Sequence, residues 1–319
     1  MENQEILNVS DDILTETPEQ PSAPAKKRKK LAPYTVGNII VTIALSIGAI
    51  VMLLPFLWMV LTTFKPSNEI YGSAALFPQK WTGQGYIDMW KTSNRIMYNR
   101  VQGAAFLQSF LSSILTTVPV VAVQIVVSAF AAYAFAKLHF VGKNVIFLVL
   151  LSTMMIPFAV VMLPQAWLYG KMGLIKTGPL AVIVPKFFGS IGTVCFLRAF
   201  FAGIPDSITE AARLDGAGYT RTFVSVLLPL VMPAIATQAI LSFMGNWNDF
   251  LGPLLYITNR KWYTLPLLVN ALNNSGDSNP ATVPLTLAGS LLSLVPVLIV
   301  FAAFQKKIVG SIVFAAVKG

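Results

Sequence analysis

Apolar residues run along this chain in six blocks, roughly 36–63, 105–135, 144–168, 179–203, 229–256 and 284–304, and most of the charge falls between them. Each block is long enough to cross about 30 Å of hydrocarbon as a helix, with some tilt for the longest. They are also longer than a buried core helix needs, so the pattern predicts repeated membrane spans around no single large core. The expected fold class is an all-α membrane protein of six transmembrane helices. Six crossings bring both ends of the chain to one side. Pro55, Pro119, Pro157, Pro164, Pro185 and Pro253 interrupt the blocks. Each frees a carbonyl that a neighbouring helix or a water-filled path must satisfy, which marks kinked, packed helices. Kinks suit a moving machine, although they are ordinary in any polytopic bundle.

Composition agrees. Of 319 residues, 55% are apolar and only 11% charged; a soluble domain carries about 25% charged residues, so a soluble globular protein is excluded. The single cysteine, Cys195, rules out an intramolecular disulfide and a cysteine-based zinc site. Residues 1–25 hold six acids and no base, and Lys26, Lys27, Arg28, Lys29 and Lys30 follow as an unbroken run. With three prolines and no aromatic residue, the segment 1–30 is expected to be a disordered tail. Its basic run could be a nucleic-acid patch, but it ends just before a span, where cytoplasmic anchoring under the positive-inside rule is the better reading. No nucleic-acid partner is expected, and membrane lipid is. The stretch from Val36 to Phe64 is too long for a signal-peptide core and should remain as the first span. With the basic tail inside, 13 of the 23 Lys and Arg residues are cytoplasmic. That excess is modest, so the topology rests mainly on the first span. The expected organisation is a tail at 1–30, a first span and long outer loop at 31–104, a core transmembrane domain at 105–305 and a cytoplasmic C-terminal tail at 306–319.

Catalytic chemistry is missing from the sequence. The only histidine, His139, lies in a short loop, so no histidine pair for a metal and no Ser-His-Asp set can be assembled. The two Gly-Lys pairs continue as Asn144 and Met172, so neither makes a phosphate-binding loop. If ATP drives transport here, a separate subunit must hydrolyse it. The chain is not expected to be an enzyme or to hold a cofactor.

The most informative segment is the loop 204–229. Asp206 or Ser207 is expected to cap a helix start, Ser207 with Glu210 having capping-box spacing. Gly216 and Gly218 should break that helix, and Thr220 should open a second one running into Leu228-Pro229 and the fifth span. The product is a helix–glycine–helix knob outside the bilayer. Ala211 and Ala212 keep one face small enough to enter a groove, with Glu210, Arg213 and Asp215 as the charges around it. Low hydrophobicity in its first half argues against a plain interfacial helix.

Glu210-Ala-Ala-Arg-Leu-Asp-Gly216, followed by Leu228-Pro229 and Pro233, resembles the EAA loop of ABC importer permeases. Ala131-Ala-Tyr-Ala-Phe-Ala136, Thr153-Met-Met-Ile-Pro157, Leu197-Arg-Ala-Phe-Phe201, Trp247-Asn-Asp-Phe250 and the ending Ala316-Val-Lys-Gly319 are similar to the maltose-type carbohydrate branch. The likeness runs from about residue 36 to the end. The long acidic and basic tail, Gln108-Ser109 in place of the usual Asn-Ser, and a longer outer segment 72–103 depart from the pattern. The resemblance implies the type I ABC importer permease fold, forming half of a translocation path for a carbohydrate. It implies as partners a second homologous permease, two ATP-binding subunits that use ATP and Mg, and an external solute-binding protein. It also implies that Glu210, Ala211, Ala212, Asp215, Gly216, Leu228 and Pro229 couple to the ATPase subunits. An ABC permease for a non-sugar solute is the nearer alternative. A secondary transporter is the more distant one, since no internal repeat is visible and Asp249 is the only acid placed within a span.

Asn246, Trp247, Asn248 and Asp249 fall in the outer half of the fifth block, where an ionisable group should face the bundle interior. Amides, a carboxylate and an aromatic face are the groups that bind sugar hydroxyls and C–H surfaces. These four are the expected lining of the path; the alternative is a structural role, with Asp249 paired across helices and Trp247 at the interface.

Overall fold

The structure, a computed structural model, describes residues 36–72, 75–276 and 282–316. The tail 1–30 with its basic run, and the last three residues of the Ala316–Gly319 ending, lie outside the described residues. The described residues are mostly helical and contain no strand, in agreement with the expected class. It divides after Leu53 into two compact units. The first holds the start of α1 (Val36–Thr62), whose residues 37–53 are all exposed. Such an apolar surface is stable only against lipid or another chain.

The second unit begins in the last turns of α1. Next come α2 (Ser67–Gly72), α3 (Gln84–Tyr98), α4 (Ala105–Lys137), α5 (Lys143–Thr153), α6 (Phe158–Lys171), α7 (Leu180–Ile183) and α8 (Ile191–Ala202). They are followed by α9 (Asp206–Leu214), α10 (Tyr219–Arg221), α11 (Leu228–Trp247), α12 (Leu251–Tyr256), α13 (Leu265–Asn273) and α14 (Thr282–Ala316). The 33-residue α4 is the centre of this unit, packing on α8 and α11, while α14 joins α11 to α3 and α13. Near its C-terminal end, Ala129 and Ala132 let Leu197 and Phe201 of α8 and Val231 and Ala234 of α11 approach closely. Small residues on membrane helices serve this close approach where there is no water to drive association. At its other end Ala105 and Phe106 join Met89 and Met97 of α3, Leu265, Leu268 and Leu272 of α13, and Leu285 and Ala288 of α14 in a second core.

Five described helices are long and apolar enough to cross a membrane. The third expected span, 144–168, is not one straight helix: α5 and α6 meet at a 95° bend over residues 154–157. A proline disfavours helical backbone in the residue before it, and Pro157 itself takes an extended ψ of 140°, so the chain turns where the sequence suggested only a kink. The fifth expected span, 229–256, also differs. Its helix starts earlier and ends at Trp247, and α12 is a separate short helix after the break at residues 248–250. The segment 64–104, read as a loop, contains α2 and α3. Buried Asn94 ties its end down, accepting the Ala105 N–H at 2.9 Å and donating to the Val101 carbonyl at 3.0 Å.

Candidate functional site

Two breaks in the apolar helices face each other and enclose a cavity of about 700 Å³, within the ~300–1,000 Å³ typical of small-molecule sites. The first break lies in the fourth span. After α7 the chain forms a 3₁₀ turn over Val184–Phe188 with Pro185 in its first turn, then passes through Gly189 at φ +91° into α8. A Cβ at Gly189 would stand 3.1 Å from Ser128 Oγ of α4. The bare backbone therefore sits against α4, where the Ser190 N–H donates to Ser128 Oγ at 3.1 Å. This turn presents Lys186 to the cavity.

The second break follows α11. Asp249, one residue before the cap position of the next helix, accepts the Gly252 N–H on Oδ1 at 3.2 Å, and its Oδ2 accepts from Lys186 Nζ at 2.7 Å. Lys186 also donates to Asn246 Oδ1 at 3.0 Å, and Asn246 Nδ2 donates to the Ser242 carbonyl at 2.8 Å and to Gln124 Oε1 of α4 at 3.4 Å. The pair is partly buried, with side-chain exposures of 32% for Lys186 and 23% for Asp249. Across the cavity the Tyr256 hydroxyl donates to Gln165 Oε1 at 3.1 Å. Four amides, an ammonium, a carboxylate and the rings of Phe158, Tyr169 and Phe250 thus border one space. That set can exchange hydrogen bonds with a hydroxyl-rich solute and cover its apolar faces.

Asn246, Asn248 and Asp249 all line this cavity. Trp247 does not. It is 2% exposed, donates its indole N–H to the Ser293 carbonyl at 3.1 Å and stacks on Phe243 at 5.5 Å. At the end of a helix successive side chains point about 100° apart, so the four neighbours divide between wall and lining. Lys186, Gln124 and Gln165 were missed. Lys186 had a visible signal, being a lone lysine inside an apolar block that also holds Pro185.

The knob stands at the opposite end of α4 from α3. Helix α9 ends at Leu214, and Gly216 at φ +77° lets the Ala217 N–H reach back to the Ala212 carbonyl at 2.9 Å, a glycine-dependent helix stop. The expected capping box is not formed. Pro205 occupies the cap position with no side-chain cap, and Asp206 is already helical, its carboxylate drawn to Lys137 of α4 at 2.6 Å. The second helix opens at Tyr219 after Gly218 rather than at Thr220. A π-helical stretch over Thr222–Leu227 then widens the chain ahead of Pro229, whose ring cannot fit an ordinary turn beneath it. Glu210, Ala211, Asp215, Gly216 and Pro229 are exposed and Leu228 is half-buried. The alanine pair is split, with Ala212 packed inward and Ala211 outward. Leu214, unremarked in the sequence, is 90% exposed on the same knob. The hydrogen bond from Lys137, and then its charge, hold the Asp206 carboxyl below the usual carboxylate range.

The family described as the inner membrane component of binding-protein-dependent transport systems matches residues 124–309, which contain the knob and every cavity residue named above. The chain belongs to this family. The permease is similar to the diacetylchitobiose uptake system permease protein of Streptomyces coelicolor, 30% identical over 270 residues covering 84% of this chain and 85% of the relative. It is also similar to the arabinooligosaccharides transport system permease protein of Halalkalibacterium halodurans, 30% identical over 295 residues covering 92% and 100%. Its fold is similar to a chain of a bacterial ABC transporter involved in the import of the acidic polysaccharide alginate, with a TM-score of 0.72 at 20% identity over 86% and 99% of the two chains. The permease is therefore a multi-pass membrane component of a transport system that works with a binding protein.

Proposed function

We propose that this permease forms half of the translocation path of an ABC importer for a carbohydrate, paired with a second homologous permease and two ATP-binding subunits that use ATP and Mg. An external solute-binding protein delivers the sugar, and both termini are cytoplasmic. The observation that carries the reading is the polar cavity between the two helix breaks, which offers Gln124, Gln165, Asn246, Asn248 and the Lys186–Asp249 pair within apolar spans. Intramembrane charges that pair across helices and face a cavity commonly mark a solute pathway. The sugars named for the two relatives support carbohydrate as the substrate class. The knob is the coupling element: Glu210, Ala211 and Asp215 face outward for docking, and Gly216 ends the helix. Leu228-Pro229 opens α11, which carries Asn246 at its far end. The chain contributes no hydrolysis of its own.

The test is transport by the whole complex in proteoliposomes, with ATP inside and the binding protein loaded from a panel of oligosaccharides outside. Uptake of a sugar that requires both ATP and the binding protein is expected. Uptake without ATP, or only of a non-sugar solute, would overturn the assignment.

A further inference from the structure

Helix α4 touches the knob at both of its ends. Lys137, with a side chain only 5% exposed, donates from Nζ to the Ile204 carbonyl at 2.5 Å and to Asp206 Oδ1 at 2.6 Å, fixing the start of α9. One helical turn earlier, Tyr133 is 5% exposed and its hydroxyl donates to the Tyr219 carbonyl at 3.3 Å, fixing the first residue of the knob's second helix. Residues four apart lie on one face of a helix, so a single stripe of α4 holds both feet of the knob. That end of α4 is itself braced. Lys143 donates to the Leu138 carbonyl at 2.9 Å, and Arg198 donates to the Phe135 carbonyl at 3.3 Å while its guanidinium lies 4.2 Å over the Phe147 ring. Further along the same helix, about 14 Å from Tyr133 at 1.5 Å per residue, Gln124 lines the cavity and meets Asn246.

We propose that Tyr133 and Lys137 are positioning residues that clamp the knob to α4, so that the two move as one body and a displacement of the knob reaches Gln124 through a continuous helix. The inference rests on the coupling role given to the knob above. A buried ammonium with two short bonds and a buried hydroxyl give the contact two points, which resists rotation as well as separation. A segment carried by coupled elements moves as a unit only while those contacts persist.

The experiment uses the full complex in nanodiscs, with a Cys195→Ser background and spin labels at Leu214→Cys on the knob and Leu115→Cys on α4, both exposed positions. In the otherwise native chain the separation should change by less than about 2 Å, the scale of a helix shift, between the nucleotide-free and Mg-ATP-vanadate states. In Tyr133→Phe with Lys137→Met it should shift by more than that or broaden, and stimulation of ATP hydrolysis by the loaded binding protein should fall about fivefold or more. Lys137→Arg, which keeps the charge and the donors, should restore both. If the double variant does not assemble, Lys137→Gln alone must show the same loosening. A separation that is unchanged in these variants, or that already shifts in the native chain, overturns the clamp. Glu210→Lys on the outer face of the knob separates the two ideas. If it uncouples while the clamp variants behave like the native chain, only the clamp is wrong; if Glu210→Lys leaves stimulation intact, the coupling role itself falls.

Discussion

Among the described residues, two lysine–aspartate pairs of nearly equal length, Lys186–Asp249 at 2.7 Å and Lys137–Asp206 at 2.6 Å, stand in opposite circumstances. In the cavity both partners are partly buried, and each makes a further hydrogen bond, Lys186 donating to Asn246 Oδ1 and Asp249 accepting the Gly252 N–H. At the knob only the lysine is buried, while Asp206 has a side chain 79% exposed. An ion in water loses little when its partner is removed, whereas an ion at membrane depth is left uncompensated. The same chemical pair is therefore part of the cavity's integrity in one place and a one-sided tether in the other. Both join residues more than 60 positions apart across a helix break, and in both the lysine depends on the aspartate more than sequence spacing discloses.

The largest effect is expected from breaking the cavity pair on one side. Lys186→Met leaves Asp249 with the Gly252 N–H as its remaining bond and should lower stability by about 2 kcal/mol, less than for a fully buried pair because both groups are partly exposed. Transport should be lost as well. Adding Asp249→Leu to Lys186→Met should recover the thermal midpoint of the assembled complex and leave transport absent. Recovery of transport in that double variant would show that the pair only holds the helices together.

A smaller loss tests how the lysine is presented. Gly189 combines φ +91° and ψ −176°, an extended conformation open in practice only to glycine, with a 3.1 Å approach to Ser128 Oγ, so Gly189→Ala should cost about 1–2 kcal/mol from the backbone alone. It should also weaken apparent sugar affinity by moving Lys186. The comparison sharpens further with two substitutions that should barely alter the melting of the complex, as surface-type changes do. Asn248→Ala should change apparent affinity or sugar preference and keep ATPase stimulation; Glu210→Lys should abolish stimulation and keep the binding protein docking. Identical phenotypes for the two would remove the distinction between lining and knob.

Much of this was legible in the chain. Block length alone placed four of the six spans, because a hydrocarbon slab sets a minimum length that few other constraints imitate. Gly216 was readable as a helix stop, since a left-handed residue with nothing to pack against is glycine's usual place. The bend at Pro157 was not, because one proline yields a kink or a break according to what the neighbouring helices hold. Local rules also failed at the start of α9. Ser207 and Glu210 had the spacing of a capping box, but Asp206 was taken by Lys137, 69 residues earlier in the chain, and the cap was lost. The cavity failed for a related reason. Asp249 stood out as a charge in an apolar block, but its partner lies in another block and obeys no periodicity that links them.

The smallest expected effect is a pH dependence confined to the knob. The hydrogen bond from Lys137 and then its charge lower the Asp206 pKa against an opposing desolvation, with His139 and Lys143 adding to the lowering. A depressed folded pKa means the tether is complete above the unfolded carboxylate value of about 3.9 and is lost as pH falls through the lower folded value. Amide hydrogen exchange across residues 206–214, corrected for its intrinsic pH dependence, should be flat from about pH 8 to 5 and should rise only below about pH 4. Asp206→Asn should show the faster exchange already at neutral pH, because Lys137 then keeps the Ile204 carbonyl but loses its anion. The change should stop at Leu214 and leave α11 protected, since Asp206 is solvated and α11 is held by its own packing on α4. Loosening that begins near pH 6 would show that another group sets the tether. Loosening that spreads into α11 would make the knob part of the same cooperative unit as the cavity and erase the contrast between the two pairs.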